Sequence, residues 1–342
     1  MRLTDLLSSL RRGDASPENY SVSAEYTEMT GEFRRSQVET VLASLRIVLS
    51  DWRGKVGLLT VSTYILMGTV GVLVVPEPIA GAGPAYLGAF QDMSFPLGTN
   101  NQGQDLLGLI IYATTPMLKM IVAGGVFATT VATVTGTVSG YKGGRVDQVL
   151  TTFIDSAMAI PTLPLIIVLA AVFPVSNPFL VGILVSINAW AGLSRTIRSQ
   201  VLTIREESYV EAARIIGTPT WRIIYEEVTP QLMPYIAIHF MNLCRRVIFA
   251  SVGLYFLGVL PYTSQNWGVM LNQAYSAGAL SIDAYLHWLL VPMLTIIFFT
   301  VGLIFLAQSM DQVFNPRIRA RRAGDSAPAE SEEDGEVTTQ IR

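Results

Sequence analysis

Long stretches without a charged side chain dominate this sequence, and short clusters of Lys, Arg, Asp and Glu separate them. Residues 57–76 carry no charge over 20 positions, and residues 120–141 none over 22, bracketed by Lys119 and Lys142. A helix crossing a bilayer needs about 20 mostly apolar residues, so each run predicts one span. Residues 156–194 are uncharged for 39 positions, too many for a single crossing. The turn signal Pro174-Val175-Ser176-Asn177-Pro178 divides them into two spans joined by a tight hairpin. Residues 228–244 and 247–258 are each uncharged but separated by Arg245 and Arg246. Neither piece comfortably crosses about 30 Å of hydrocarbon, whereas one helix over 234–258 does, with both arginines near mid-depth. A last span falls at 288–307. The pattern predicts an all-α polytopic membrane protein with six transmembrane helices.

Charge then orients these spans. Lys and Arg are absent from 76–116, 174–178 and 247–316, whereas 1–55 holds eight, 195–222 holds five, and Lys142 and Arg145 share one short loop. Arg317, Arg319, Arg321 and Arg322 follow the last span. Basic loops alternate with loops lacking Lys and Arg, which places both termini in the cytoplasm by the positive-inside rule. Charges interrupt the short apolar runs of the N-terminus, so it lacks a signal-peptide pattern and is expected to be retained. The chain divides into a cytoplasmic segment 1–53, a first span 54–76, an extracytoplasmic loop 77–116, a core 117–316 with five spans, and a cytoplasmic acidic tail 317–342. Within the first segment, Val38, Val41, Leu42, Leu45, Val48 and Leu49 recur at helical spacing beside Arg34, Arg35 and Arg46. This predicts an amphipathic helix lying on the membrane face. In the tail, Asp325, Glu330, Glu332, Glu333, Asp334 and Glu336 have no basic residue among them, a solvated pattern.

Composition agrees with the membrane reading. Of 342 residues, 51% are hydrophobic and 14% charged, against about 25% charged in soluble domains, and mean hydropathy is +0.44. Net charge of −3 leaves no global basic surface for nucleic acid. The lone cysteine, Cys244, forms no intrachain disulfide.

The stretch 195–234 is the longest loop between spans on the cytoplasmic side. Ser208-Tyr209-Val210-Glu211 has the form of a capping box at the start of a helix that stops at Gly217. Thr218 offers a second N-cap with Pro219 at the first helical position, and that helix carries Trp221, Arg222, Ile223, Ile224 and Tyr225 towards Pro230. A helix–glycine–helix is a rigid protrusion suited to docking. Glu211-Ala212-Ala213, Gly217 and Val228-Thr229-Pro230 resemble the EAA loop of ABC importer permeases. The run 195–202 and Trp221-Arg222-Ile223-Ile224 resemble the dipeptide/oligopeptide and nickel branch of that family. So do Phe95-Pro96-Leu97-Gly98-Thr99 with Gly103 and Asp105, Tyr141-Lys142-Gly143-Gly144 with Asp147, Asp155 with Pro161, Phe256-Leu257-Gly258, Trp267-Gly268 with Met270-Leu271, and Asp311 with Asn315-Pro316-Arg317. The resemblance covers about 95–317.

That resemblance implies a MetI-like permease fold in the cell (inner) membrane, and a subunit that pairs with a second permease. Two ABC ATPases would dock through Glu211, Ala212, Ala213, Arg214, Gly217 and Pro230, and an extracytoplasmic solute-binding protein would sit above. Dipeptides or oligopeptides are the implied cargo. The chain has no G-x-x-x-x-G-K-[ST] loop, so ATP and Mg belong to the partner chains, with no cofactor here and no enzymatic role. The chain departs from the family at Gln104, where Arg is common, at Thr229, where Leu is usual, and at Arg245-Arg246, where small apolar residues stand. No His/Cys/Asp/Glu set has metal-ligand spacing, and no nucleophile is matched with a base.

On a helix, His239, Asn242, Arg246 and Gly253 fall on one stripe, which would face a pathway between two permease subunits. Arg246 would offer donors to a carboxylate or another anion, and Arg245, about 100° around, would pair within the protein. Both arginines neutralising a partner subunit is the blander alternative. His287 reads as interfacial, and the aromatic residues near 255–267 as an interfacial belt. An ion-coupled secondary transporter, a membrane scaffold, and a permease of the same branch for nickel or another small solute stay open as alternatives.

Overall fold

The computed structural model of the chain describes Leu49 and residues 51–173, 176–260 and 265–314. The amphipathic helix expected from sequence, apart from Leu49, and the acidic tail lie outside these described residues, as do Pro174 and Val175 of the expected hairpin turn. Among the described residues, four helices are long and apolar enough to cross a membrane, and two bent helix pairs raise the count to six when each pair is one span.

The first crossing, α1, is Trp52–Val74, with a π turn at Met67–Gly71. A hydrogen-bonded segment between α1 and the next helix follows. There the Asn100 carboxamide oxygen accepts from the Gln102 and Gln104 amides, both at 2.9 Å, and Tyr86 stacks on Tyr285 at 3.9 Å. Asp105 then caps α2 by accepting from the amides of Leu107 and Gly108. α2 is Leu106–Lys142, 37 residues and about 55 Å long, well beyond a 30 Å core. It begins 14 residues before the uncharged run because Lys119, taken from sequence as a boundary, lies inside it. The segment read as loop 77–116 is therefore helical from 106 onward.

α3 (Gly144–Ala159) and α4 (Thr162–Val172) meet at 85°. The bend falls at Ile160, whose backbone is extended, as the residue before a proline is driven to be. α5 (Pro178–Val185) and α6 (Trp190–Ile204) meet at 60°. Asn188, inside that second bend, donates to the Ile160 carbonyl at 3.2 Å and the Thr162 hydroxyl at 3.1 Å, so one side chain ties the two breaks together. Two spans joined by a tight hairpin were expected within 156–194; the described residues hold two bent helix pairs, 144–172 and 178–204, each reaching beyond that run.

α7 is Ser208–Ile215. α8 runs without interruption from Thr220 to Phe256 through a π turn at Ile224–Val228, where the Ile224 carbonyl accepts from the Thr229 amide and also from the Thr229 hydroxyl at 2.7 Å. The expected loop 195–234 is thus mostly helix, since α6 and α8 extend into it from either side. Pro230 and Pro234 are carried inside α8, as membrane helices tolerate when neighbouring groups take up the freed carbonyls. α9 (Trp267–Ser276) and α10 (Leu286–Phe314) complete the order.

Two apolar cores result. In one, Tyr64 of α1, Trp267 of α9 and Phe299 of α10 form a triangle with ring centroids 4.6–5.9 Å apart, and the Tyr64 hydroxyl donates to the Thr295 carbonyl at 2.7 Å. Tyr255 and Trp267 are buried here, which corrects the expected interfacial belt: the rings face the bundle, and α9 folds back on α8 and α10. The second core joins α2, α6, α7 and the first turns of α8 through Ala132, Ile197, Val201, Val210 and Ile223. Between the two, α2 and α5 cross backbone to backbone at glycines. A Cβ on Gly182 would lie 2.2 Å from the Met120 carbonyl oxygen, and one on Gly124 would lie 2.5 Å from the Gly182 carbonyl oxygen.

Candidate functional site

α7 and the start of α8 form a helical hairpin turned at Gly217. Gly217 has φ +85°; its amide donates to the Arg214 carbonyl, and the Thr218 amide donates to Ala213, both at 3.0 Å. This is the Schellman arrangement that a left-handed residue permits, as expected from sequence. The capping box is not formed: Glu207 holds the N-cap position, Ser208 is the first helical residue, and no side chain caps the helix. α8 is likewise shifted by one residue, with Pro219 at the N-cap instead of Thr218. The N-cap thus falls one residue earlier than expected in α7 and one residue later in α8.

One side of the hairpin is fixed to the bundle. Val210 and Ile223 are buried in the second core, and Arg214 Nε donates to the Tyr141 hydroxyl at 3.1 Å with its guanidinium over that ring at 5.0 Å, a cation–π arrangement. Arg205 Nη1 donates to the Gly140 carbonyl at 3.1 Å. Burial pushes the Tyr209 phenol up, with Glu207 and Glu227 adding to the shift. The other side is bare: Ile215, Ile216, Trp221 and Tyr225 are 69–82% exposed. Glu211, Ala212 and Pro230 are also exposed, and Ala213 is half-buried. A cleft of about 980 Å³ beside the hairpin is lined by Tyr141, Lys142, Arg205, Glu206, Glu211 and Arg214.

Higher on α8, His239, Asn242, Arg245 and Arg246 line one cavity of about 380 Å³ with Gly192 and Thr196 of α6. A second, of about 350 Å³, is shared by His239, Asn242 and Arg245 with Gln308 and Asp311 of α10. Gly253, the fourth member of the expected stripe, lines neither, and a Cβ there would meet nothing within 4 Å. Arg245 was expected to pair within the chain. Among the described residues neither arginine has a carboxylate at ion-pair distance. His287, expected at an interface, bonds the carbonyls of Ala284 at 2.9 Å and Thr99 at 3.3 Å.

The sequence pattern of binding-protein-dependent transport system inner membrane components matches residues 132–320, more than half of the 342-residue chain. The chain belongs to this family. The permease is 29% identical over 228 residues to the oligopeptide transport system permease protein OppC of Lactococcus lactis, covering 66% of this chain and 76% of that one. It is 27% identical over 269 residues to the dipeptide transport system permease protein DppC of Bacillus subtilis, covering 75% and 82%. A peptidoglycan transport system permease protein, YejE of Agrobacterium fabrum, is 28% identical over 223 residues, covering 65% and 57%.

In this permease the ion pairs that stiffen the hairpin's support had no assigned role from sequence. Arg198 of α6 grips Asp147 of α3 bidentately, Nε to Oδ1 and Nη2 to Oδ2, both at 2.6 Å, and the Ser139 hydroxyl donates to the same carboxylate. Arg195 reaches Asp155 at 2.5 Å. The pairs run antiparallel along α3 and α6 and are separated by 51 and 40 residues, so no local spacing reveals them. Their only signal was two acidic residues on one helix and two basic residues on another.

Proposed function

We propose that this permease is one membrane half of an ATP-driven importer of dipeptides or oligopeptides, working with a second permease, two ATPase chains and an external solute-binding protein. The observation that carries the coupling role is the hairpin. It is tied firmly to α2 through Arg214 and Arg205, yet its tip leaves Ile215, Ile216, Trp221 and Tyr225 in solvent. An apolar tip on a rigid base suits a partner that pushes. Each apolar side chain covered there contributes about 1.5–3 kcal/mol, enough to hold a docked subunit. Motion at the tip is passed to α8 directly, because the hairpin's second arm is the first turn of that span. The ATPase-contacting residues on this reading are the tip's Ile215, Ile216, Trp221 and Tyr225 together with Glu211, Ala212, Ala213, Arg214, Gly217 and Pro230.

Orientation follows the basic residues. Lys142, Arg205 and Arg214 gather round one cleft at the hairpin end, and the positive-inside bias makes that end cytoplasmic, with both termini on the same side. The peptide class rests on the two relatives named for oligopeptides and dipeptides. A direct test is affinity purification of the tagged permease from detergent-solubilised membranes. A co-purifying chain with ATPase activity is expected with the wild type and should be lost from Ile216→Glu. Retention of that ATPase at the wild-type level in Ile216→Glu membranes would remove the docking role.

A further inference from the structure

α8 brings two guanidiniums to a depth where charge is expensive. Arg246 lies ten residues from the Phe256 end of the helix, about 15 Å at 1.5 Å per residue, so with that end at the membrane boundary it falls midway through a core about 30 Å thick. Intramembrane charges face a partner or a water-filled cavity. Among the described residues Arg245 and Arg246 have no ion pair, and Arg246 is exposed. A cavity is therefore what the chain itself provides.

The two cavities beside this turn differ in charge. The one of about 380 Å³ is lined by Arg245, Arg246, His239, Asn242 and Thr196 and has no Asp or Glu in its wall. The one of about 350 Å³ contains Asp311 across from Arg245. Arg246 thus opens on a space rich in donors and empty of acids, a size at the low end of ligand clefts, which run to about 300–1,000 Å³. A guanidinium presents five N–H donors in a planar fork that matches a carboxylate, and the carboxamide and hydroxyl beside it can donate as well. The wall is also unobstructed. A Cβ on Gly192, which lines this cavity, or on Gly253, two turns beyond Arg246 on α8, would meet nothing within 4 Å.

We infer that the 380 Å³ cavity is a carboxylate-binding site on the solute's route, with Arg246 as the residue that holds the anionic end. This rests on the importer reading above and adds a specificity element to it: for a peptide the group held is the free C-terminal carboxylate. Arg245 lines both cavities, whereas Asp311 lines only the second.

The test uses the complex purified with its native partner chains and reconstituted in proteoliposomes with its binding protein. ATP-driven uptake of labelled tetra-alanine is compared with uptake of its C-terminal amide. Because one binding protein delivers both peptides to every variant, a changed ratio reports on the permease. Arg246→Gln is expected to lower uptake of the acid about 10- to 100-fold, as loss of a charged hydrogen-bond partner does, leave the amide unchanged, and keep the complex assembled. Arg246→Lys is expected to recover part of the loss. An equal fall for acid and amide in an intact complex overturns the site, and so does loss of subunits on purification, which makes Arg246 a subunit contact. If the wild type imports neither peptide, the importer reading fails first.

Discussion

The crossing of α2 and α5 offers a sharp test of the packing. In Gly182→Ala the new Cβ would lie 2.2 Å from the Met120 carbonyl oxygen and 2.8 Å from its Cα. Both are backbone atoms, so no side chain can rotate aside. Ordinary contact begins at 3.4 Å, and the helices must separate by roughly 1 Å. Overpacking of this kind costs about 1–3 kcal/mol, a factor of about 5–150 in the population of opened states. The reporter is already in place. Cys244 is the chain's single cysteine, is 3% exposed, and lies against Gly125 of α2, whose added Cβ would meet its sulfur at 2.8 Å. Alkylation by a membrane-permeant maleimide, read on the separated chain after electrophoresis, therefore measures local opening of this crossing. Gly182→Ala should accelerate labelling about 5- to 150-fold. Gly253→Ala, with nothing within 4 Å, should leave the rate within a factor of about two. Wild-type labelling kinetics in Gly182→Ala would refute the backbone-to-backbone contact.

Other outcomes follow from the same geometry. The Asp147–Arg198 pair has side chains 19% and 28% exposed. Its coupling should be about 1–2 kcal/mol, above an exposed pair and below a fully buried one. A cycle of Asp147→Asn, Arg198→Gln and the double variant, read as thermal midpoints of the solubilised complex, should show the double variant no less stable than either single one; strictly additive losses would mean the pair contributes nothing. For topology, Ala82→Cys and Ser276→Cys in a Cys244→Ala background should react with an impermeant reagent added to intact cells, and Ser326→Cys should not. Labelling of Ser326→Cys would reverse the orientation.

Much of the architecture was legible because hydrocarbon imposes a simple rule, that about 20 uncharged residues make a crossing. That rule located α1, the membrane part of α2, the end of α8 and α10. It failed where a charge lies inside a helix that outruns the bilayer, as Lys119 does in α2. It also failed where proline is absorbed, as at Pro230 and Pro234. Conversely, the α5–α6 bend contains no proline. Its Ser186 hydroxyl bonds back one turn to the Gly182 carbonyl at 2.9 Å, and Asn188 reaches across to α4, a contact that exists only once the chain is folded. In the hairpin, Gly217 was legible because a positive φ demands glycine. The helix starts were misplaced by one residue, since Ser208 and Thr218 both have the chemistry of an N-cap and only the backbone decides who takes the position. The anchoring of Arg214 on Tyr141 joins residues 73 apart, beyond any local pattern.

Coupling through the hairpin is measured most directly in proteoliposomes holding the purified complex, with ATP hydrolysis and peptide uptake followed together. Gly217→Val forces a β-branched residue to φ +85°, a conformation such residues essentially avoid, in a place where no atom lies within 4 Å of the new Cβ. Hydrolysis should continue while uptake falls, so that the ATP consumed per peptide imported rises well above the wild-type ratio. Wild-type uptake at a wild-type ratio, from Gly217→Val complex present at normal amount, would contradict the hairpin's role.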